Sequence, residues 1–234
     1  MLRTIAIAAL FAIAPFTPAV AQDAPPPKPV YLAVGDSLTA GLYATDGHGW
    51  AYMVADALPG YQLEVVRAPG VDNAIDFLPD ALATYNPELV TIEVGINNIN
   101  YIDGGMDDAT FLARYVTLLS MLHDAGTPNV IACTVPWTGA GRGTEYEARA
   151  LQFNRIINFA VPMFGFTVAD CWGATFGRYD YLSHIDGFHP NDAGHRAIAD
   201  AVLRVALPLM CKCEVDDRPE PATCTQHYLP LINR

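Results

Sequence analysis

Serine is scarce in this chain: Ser37, Ser120 and Ser183 are its only three. Ser37 stands apart by position. It lies in Val30–Leu42, VYLAVGDSLTAGL, where five apolar, β-prone residues run into Gly35-Asp36-Ser37-Leu38. An apolar run of that length closed by glycine suits a strand buried on both faces. A small hydroxyl just past its carboxyl end occupies the place where ligands of open α/β sheets sit. Gly, Asp and Ser are also ordinary turn formers, so Ser37 becomes a nucleophile only if the chain supplies a base to take its proton. Ser120, in LLSML, reads as a packed helix residue, and Ser183 as a loop residue beside His184.

The best base lies in YLSHIDGFHPNDAGHRAIADAV. Asp186 and His189 are three apart, in a loop containing glycine and proline just before a helical pattern. A carboxylate there can accept from one ring nitrogen and fix the tautomer, leaving the other nitrogen for Ser37. His184, Asp186 and His189 could also chelate a metal. Their dense loop spacing suits a triad better, and no metal or organic cofactor is expected. His195 reads as structural or surface. His48 and His123 have no acidic partner pattern and read as structural. Stabilisation of a developing oxyanion would come from Gly95-Ile96-Asn97-Asn98, through the Asn97 amide, together with the backbone N–H groups of Ser37 and Gly70. Losing one such donor typically costs about 10²–10³ in turnover.

In order along the chain, GDSL at Gly35–Leu38, Gly70, G-I-N-N at Gly95–Asn98 and D-G-F-H-P at Asp186–Pro190 resemble the blocks of the SGNH (GDSL) hydrolase family. The resemblance implies an ester hydrolase with Ser37 as nucleophile, His189 as base and Asp186 as its orienting acid. Ser37, Gly70 and Asn97 would form the oxyanion hole, and Asp36 would brace the nucleophile loop. Two departures stand out. The family's third block usually ends in Asp, where this chain has Asn98, which bears on loop bracing. Its second block usually carries Asn and Ser near the glycine, where this chain reads Arg67-Ala68-Pro69-Gly70-Val71-Asp72.

The elements that must position these residues alternate. Strands are expected at Val30–Val34, Leu63–Arg67, Leu89–Val94, Val130–Val135 and Phe166–Ala169. Helices are expected at Trp50–Leu58, Ala74–Thr84, Asp107–Ala125 and Glu145–Met163, with a last one from Asn191 to about Leu207. Alternation with short links predicts a parallel sheet covered on both faces, here a flavodoxin-like, five-stranded three-layer α/β/α sandwich. Right-handed crossovers then gather every strand-to-helix loop on one edge. Phe77, Leu78, Ile99, Tyr101 and Ile102 lie on or near that edge, as do Trp137, Phe176, Tyr179 and Tyr181. They would line an acyl channel or a sugar-stacking surface, or simply cap the core.

The N-terminus has Arg3, an apolar run from Ile5 to Ile13 and then Ala19-Val20-Ala21. This pattern predicts a secretory signal peptide over 1–21, cleaved after Ala21. Its apolar run is too short for a membrane span of about 20 residues, and no other long apolar run follows. Residues 22–29, QDAPPPKP, form a stiff proline-rich leader. The hydrolase domain is expected over 30–208, and a Cys-containing extension over 209–234, outside the resemblance. Lys and Arg total 13 against 25 Asp and Glu, a net charge of −12. A phosphate-tracking surface needs clustered cations, so nucleic acid is not an expected partner. Export places the five Cys in a disulfide-permissive compartment. A bridge is expected between Cys224 and either Cys211 or Cys213. The expected function is an exported, periplasmic or extracellular, ester hydrolase acting on a small-molecule, lipid or glycan ester. The alternatives are a carbohydrate O-deacetylase or a non-catalytic envelope- or carbohydrate-binding protein on the same fold.

Overall fold

The computed structural model describes residues 27–58, 60–99, 105–139 and 143–210. Five parallel strands form one sheet: β1 (Val30–Gly35), β2 (Gln62–Arg67), β3 (Leu89–Glu93), β4 (Val130–Cys133) and β5 (Thr167–Ala169). Their order is β2-β1-β3-β4-β5, the expected flavodoxin-like arrangement. Every residue of β3, and every residue of β1 after Val30, is buried. That is the reason for their predominantly apolar sequences. β2, at the sheet edge, is only partly buried and mixes Gln62, Glu64 and Arg67 with Leu63, Val65 and Val66.

Among the described residues seven α-helices flank the sheet: α1 (Trp50–Ala57), α2 (Val71–Tyr85), α3 (Ile96–Ile99), α4 (Asp108–Asp124), α5 (Thr144–Met163), α6 (Cys171–Thr175) and α7 (Asp192–Met210). Leu78 of α2, Leu118 of α4 and Phe153 of α5 pack with Leu32, Val34 and Ile92 into one core layer. Trp50 of α1 and Ile198 and Val202 of α7 pack with Tyr31, Ala33 and Ile131 into the other. The two layers use alternate residues of β1, as a strand buried on both sides requires.

The expected strands are all present, the last beginning at Thr167. α2 begins at Val71 rather than Ala74 because a side chain from another loop caps it. The Asp107 carboxylate accepts the Thr110 N–H at 2.9 Å, so it caps α4. Gly126, at φ +68°, turns the chain out of α4 where a left-handed residue is needed. α3 and α6 are single turns that no periodicity announces, and α7 continues past Leu207 to Met210.

Cys133, ending β4, and Cys171, opening α6, form a disulfide with their Cα atoms 5.5 Å apart. The expectations for the signal peptide, its cleavage after Ala21, Tyr101, Ile102 and the Cys211, Cys213 and Cys224 bridge lie outside the described residues. Among the described residues no helix is long and apolar enough to cross a membrane.

Candidate active site

In register, Gly35 stands opposite both Arg67 of β2 and Glu93 of β3. These strands therefore end level, and the loops after β1, β2 and β3 emerge side by side. Chain direction across the sheet reverses between β1 and β3, which opens a crevice at their carboxyl ends. Ser37 enters this crevice from β1, and Asn97, on α3, enters from β3.

After Asp36 the chain folds into consecutive tight turns. Ala40 N–H bonds Asp36 O, Gly41 N–H bonds Leu38 O and Leu42 N–H bonds Ser37 O, all at 3.0–3.1 Å. Gly35 starts them without room for a side chain: a Cβ there would meet the Thr39 hydroxyl and the Glu93 backbone carbonyl. The turns leave Ser37 partly exposed between buried neighbours.

Ser37 Oγ lies 2.9 Å from His189 Nε2, across 152 residues of sequence. His189 Nδ1 lies 2.5 Å from Asp186 Oδ2. Asp186 Oδ1 accepts the backbone N–H of Phe188 at 3.0 Å and of His189 at 3.1 Å. The Asp186 loop thus holds the ring's tautomer and its orientation together. Partial burial alone would raise the Asp186 carboxyl. The His189 ring N–H, these two backbone donors and the His189 charge outweigh it and hold the carboxyl below the ordinary value. The loop is itself clasped: Ser183 N–H bonds His189 O at 2.7 Å, and Leu182 bridges Pro190 in antiparallel fashion. Two aromatic rings flank the imidazole at near right angles, Phe188 at 5.0 Å and Tyr43 at 5.5 Å. Tyr43 does so at φ +64°, a left-handed conformation that costs a bulky residue free energy and clusters at working sites.

The residues expected around the oxyanion also converge. Asn97 Nδ2 donates to Pro69 O at 2.8 Å and to Asp36 Oδ2 at 3.2 Å, joining the loops after β1, β2 and β3. Asp36 Oδ1 accepts the Leu38 N–H at 2.9 Å, so the expected brace of the nucleophile turn is in place. Among the described residues the Ser37 and Gly70 N–H groups have no acceptor. Asn98, which departs from the family pattern, still braces its loop: its Oδ1 accepts the Val71 N–H at 3.0 Å. This bond caps α2 and accounts for the helix's early start. A Cβ on Gly70 would stand 3.0 Å from Asn98 Nδ2, a tight approach that would press on the Asn98 amide.

One further residue, Glu93, was not singled out in the sequence. Glu93, 1 % exposed, accepts the Thr39 hydroxyl at 3.1 Å directly beneath the Ser37 turn. His195 is fully buried and structural. Its Nε2–H donates to Leu42 O at 3.1 Å and its Nδ1 accepts the Trp50 N–H at 3.3 Å, tying α7 to the loop that carries Tyr43. Burial holds its pKa down. His48 does have an acidic partner, Asp56 at 2.7 Å on the surface of α1, and His123 lies 3.5 Å from Asp124. His184 is exposed, and no cluster of metal-ligating side chains occurs among the described residues.

Of the apolar residues expected at this edge, Leu78 and Ile99 are buried and serve the core. Phe176 and Tyr179 are 54 % and 63 % exposed. They stand edge-on to buried Trp137, at 6.0 and 4.9 Å, and form an aromatic shelf. The shelf is tied to the His189 loop, because Asn191 donates to Asp180 O and Leu182 O. Beyond Gly70, a cleft of about 390 Å³ is lined by Asp72, Asn73, Asn98, Met106, Asp107 and Thr110.

The model of the GDSL-like Lipase/Acylhydrolase family matches residues 33–197. No curated protein matches the chain. Among solved structures, Axe2, an acetylxylan esterase from Geobacillus stearothermophilus, is 19 % identical with a TM-score of 0.64, over 75 % of this chain and 93 % of its own. A tryptophan-to-isoleucine mutant of Axe2, an acetyl-xylooligosaccharide esterase, reaches 0.65 at 19 % identity over 81 % and 97 %. LAE5, an alpha/beta hydrolase enzyme from the metagenome of Lake Arreo, Spain, is 20 % identical with a TM-score of 0.63, over 75 % and 94 %. At these identities the likeness is one of fold.

Proposed function

We infer the mechanism from one premise: this chain belongs to the GDSL-like lipase/acylhydrolase family, a family of hydrolases acting on esters. Ser37 Oγ attacks the ester carbonyl while His189 Nε2 takes its proton. The resulting imidazolium is stabilised by Asp186 through Nδ1–H. The Ser37 and Gly70 N–H groups and the Asn97 amide face the developing oxyanion. Both Asn97 amide protons have acceptors in the free site, so the longer bond, to Asp36 at 3.2 Å, is the one exchanged for the oxyanion. His189 then returns its proton to the leaving alcohol, and a water activated by the same ring hydrolyses the acyl-enzyme. The observation that carries this reading is the unbroken chain from Ser37 through His189 to Asp186, at 2.9 and 2.5 Å.

The substrate is a carboxylic ester. A second reading, a carbohydrate O-deacetylase, is favoured by the aromatic shelf beside the His189 loop and the cleft beyond Gly70. An exposed ring offers a face to a sugar, and the cleft offers polar partners for hydroxyl groups. Export follows from the N-terminal pattern, and a Cys133–Cys171 bridge suits an oxidising compartment.

The experiment is hydrolysis of p-nitrophenyl esters from acetyl to palmitoyl, and of acetylated xylo-oligosaccharides, by protein starting at Gln22. A Ser37→Ala control and fluorophosphonate labelling accompany it. Turnover and labelling that both vanish in Ser37→Ala support the serine mechanism. Turnover that survives the substitution overturns it. A chain that is neither active nor labelled is a binding protein on this fold.

A further inference from the structure

β3 reads LVTIE, an apolar strand that ends in a carboxylate with no obvious duty. Glu93 is 1 % exposed and Asp36 is 2 % exposed, and the two carboxyls are neighbours beneath the Ser37 turn. Among the described residues no cation pairs with either. The groups facing them are neutral: the Thr39 hydroxyl on Glu93 Oε2, the Leu38 N–H and Asn97 amide on Asp36, and the buried Tyr115 phenol of α4 close to Glu93. Glu93 Oε1 meets no donor. Two bare carboxylates in such a place repel each other at low dielectric, and one shared proton removes the conflict. Burial raises both acids above the ordinary carboxylate range, and the neighbouring Asp36 charge raises Glu93 further. Both Asp36 oxygens already accept N–H donors whereas Glu93 Oε1 has none, so the proton belongs on Glu93.

We propose that Glu93 is a positioning residue: as a neutral acid it donates to Asp36, and so holds the Ser37 turn and the Asn97 amide in place for attack. Asp36 sits between two working parts. One oxygen fixes the turn after Ser37 and the other holds Asn97. When Asn97 turns toward an oxyanion, the Glu93 proton keeps Asp36 satisfied. Losing that proton at alkaline pH sets two buried anions against each other and disturbs both parts together.

This inference rests on the serine mechanism above, so its test has readouts that need no turnover. Infrared difference spectra of the full chain at neutral pH should show a protonated carboxylic acid that is absent from Glu93→Gln. In ¹⁵N NMR, the Asn97 side-chain amide should shift on alkaline titration of the wild type and stay fixed in Glu93→Gln, which keeps an N–H donor toward Asp36 at every pH. In kinetics on p-nitrophenyl acetate, Glu93→Gln should keep its neutral-pH kcat and lose the alkaline decline. Glu93→Leu should lower kcat about 10²-fold with little change in KM, the cost of a misplaced reacting group. Absence of the acid band, or an Asn97 resonance that titrates alike in wild type and Glu93→Gln, overturns the proposal whether or not the chain hydrolyses esters. Failure of Ser37 to react with fluorophosphonate, with band and resonance behaving as stated, overturns the serine mechanism and leaves the shared proton standing.

Discussion

Asn97, on the loop after β3, bonds the loops after β1 and β2 at once. Asn97→Ala should lower kcat by about 10²–10³ and leave KM nearly unchanged, measured by steady-state ester hydrolysis. Its neighbour Asn98 does different work, because its oxygen caps α2 at Val71. Asn98→Asp keeps that acceptor and should keep both activity and Tm. Asn98→Ala should lower stability by about 1 kcal/mol, the usual value of a lost helix cap, in thermal or urea unfolding. Asp186→Asn should cost about 10⁴ in kcat by presenting the wrong tautomer to Ser37. Because the Asp186 carboxyl is held below its ordinary value, the stability it lends is complete above about pH 4. That stability is lost as pH falls through the lowered value. Ser37, Asp186 and His189 were legible because each sits in a local pattern: a strand-end turn, and an acid and imidazole three apart in one loop. Glu93 was not, since a lone acid closing an apolar strand reads as the strand's boundary. Only its register opposite Gly35 reveals what it lies against.

At the scale of elements, all five strands announced themselves as short apolar runs and the long helices by period and punctuation. The single turns α3 and α6 did not, because four or five residues carry no periodicity. The early start of α2 was also hidden, since its cap arrives from the loop after β3. The Cys133–Cys171 bridge escaped notice because spacing cannot show that the end of β4 and the start of α6 lie 5.5 Å apart. It closes a loop of 38 residues. In the chain-entropy account, its reduction should cost about 4 kcal/mol, seen as a lower urea midpoint in dithiothreitol and in a Cys133→Ala/Cys171→Ala variant. His195 joins α7, α1 and the Tyr43 loop as a neutral ring. Its pKa is lowered in the fold, so its stabilisation is full above about pH 6.5. It fades as pH drops through the lowered value, when Nδ1 gains a proton and stops accepting from Trp50. Tm measured from pH 7 down to pH 5 should fall more steeply in the wild type than in His195→Gln.

Across the whole molecule the net charge is −12, and such a field acts on substrates before any contact forms. Esters bearing a negative charge should show kcat/KM rising with ionic strength as repulsion is screened, while neutral esters of the same acyl group should show little change. Stopped-flow or steady-state assays across a salt series separate the two. The disulfide also governs how the fold comes apart under tension. Residues 133 to 171 contain all of α5 and the edge strand β5, so a pull on the chain ends cannot draw that segment out. In an optical trap the oxidised protein should extend short of its full contour by about 130 Å, at some 3.5 Å per residue. A reductant should release that length as a separate, later step. The protein is thus spliced lengthwise: the loops bearing Ser37 and Asn97 lie on thread that force can unspool, and the edge of the sheet lies on a coil that only electrons can open.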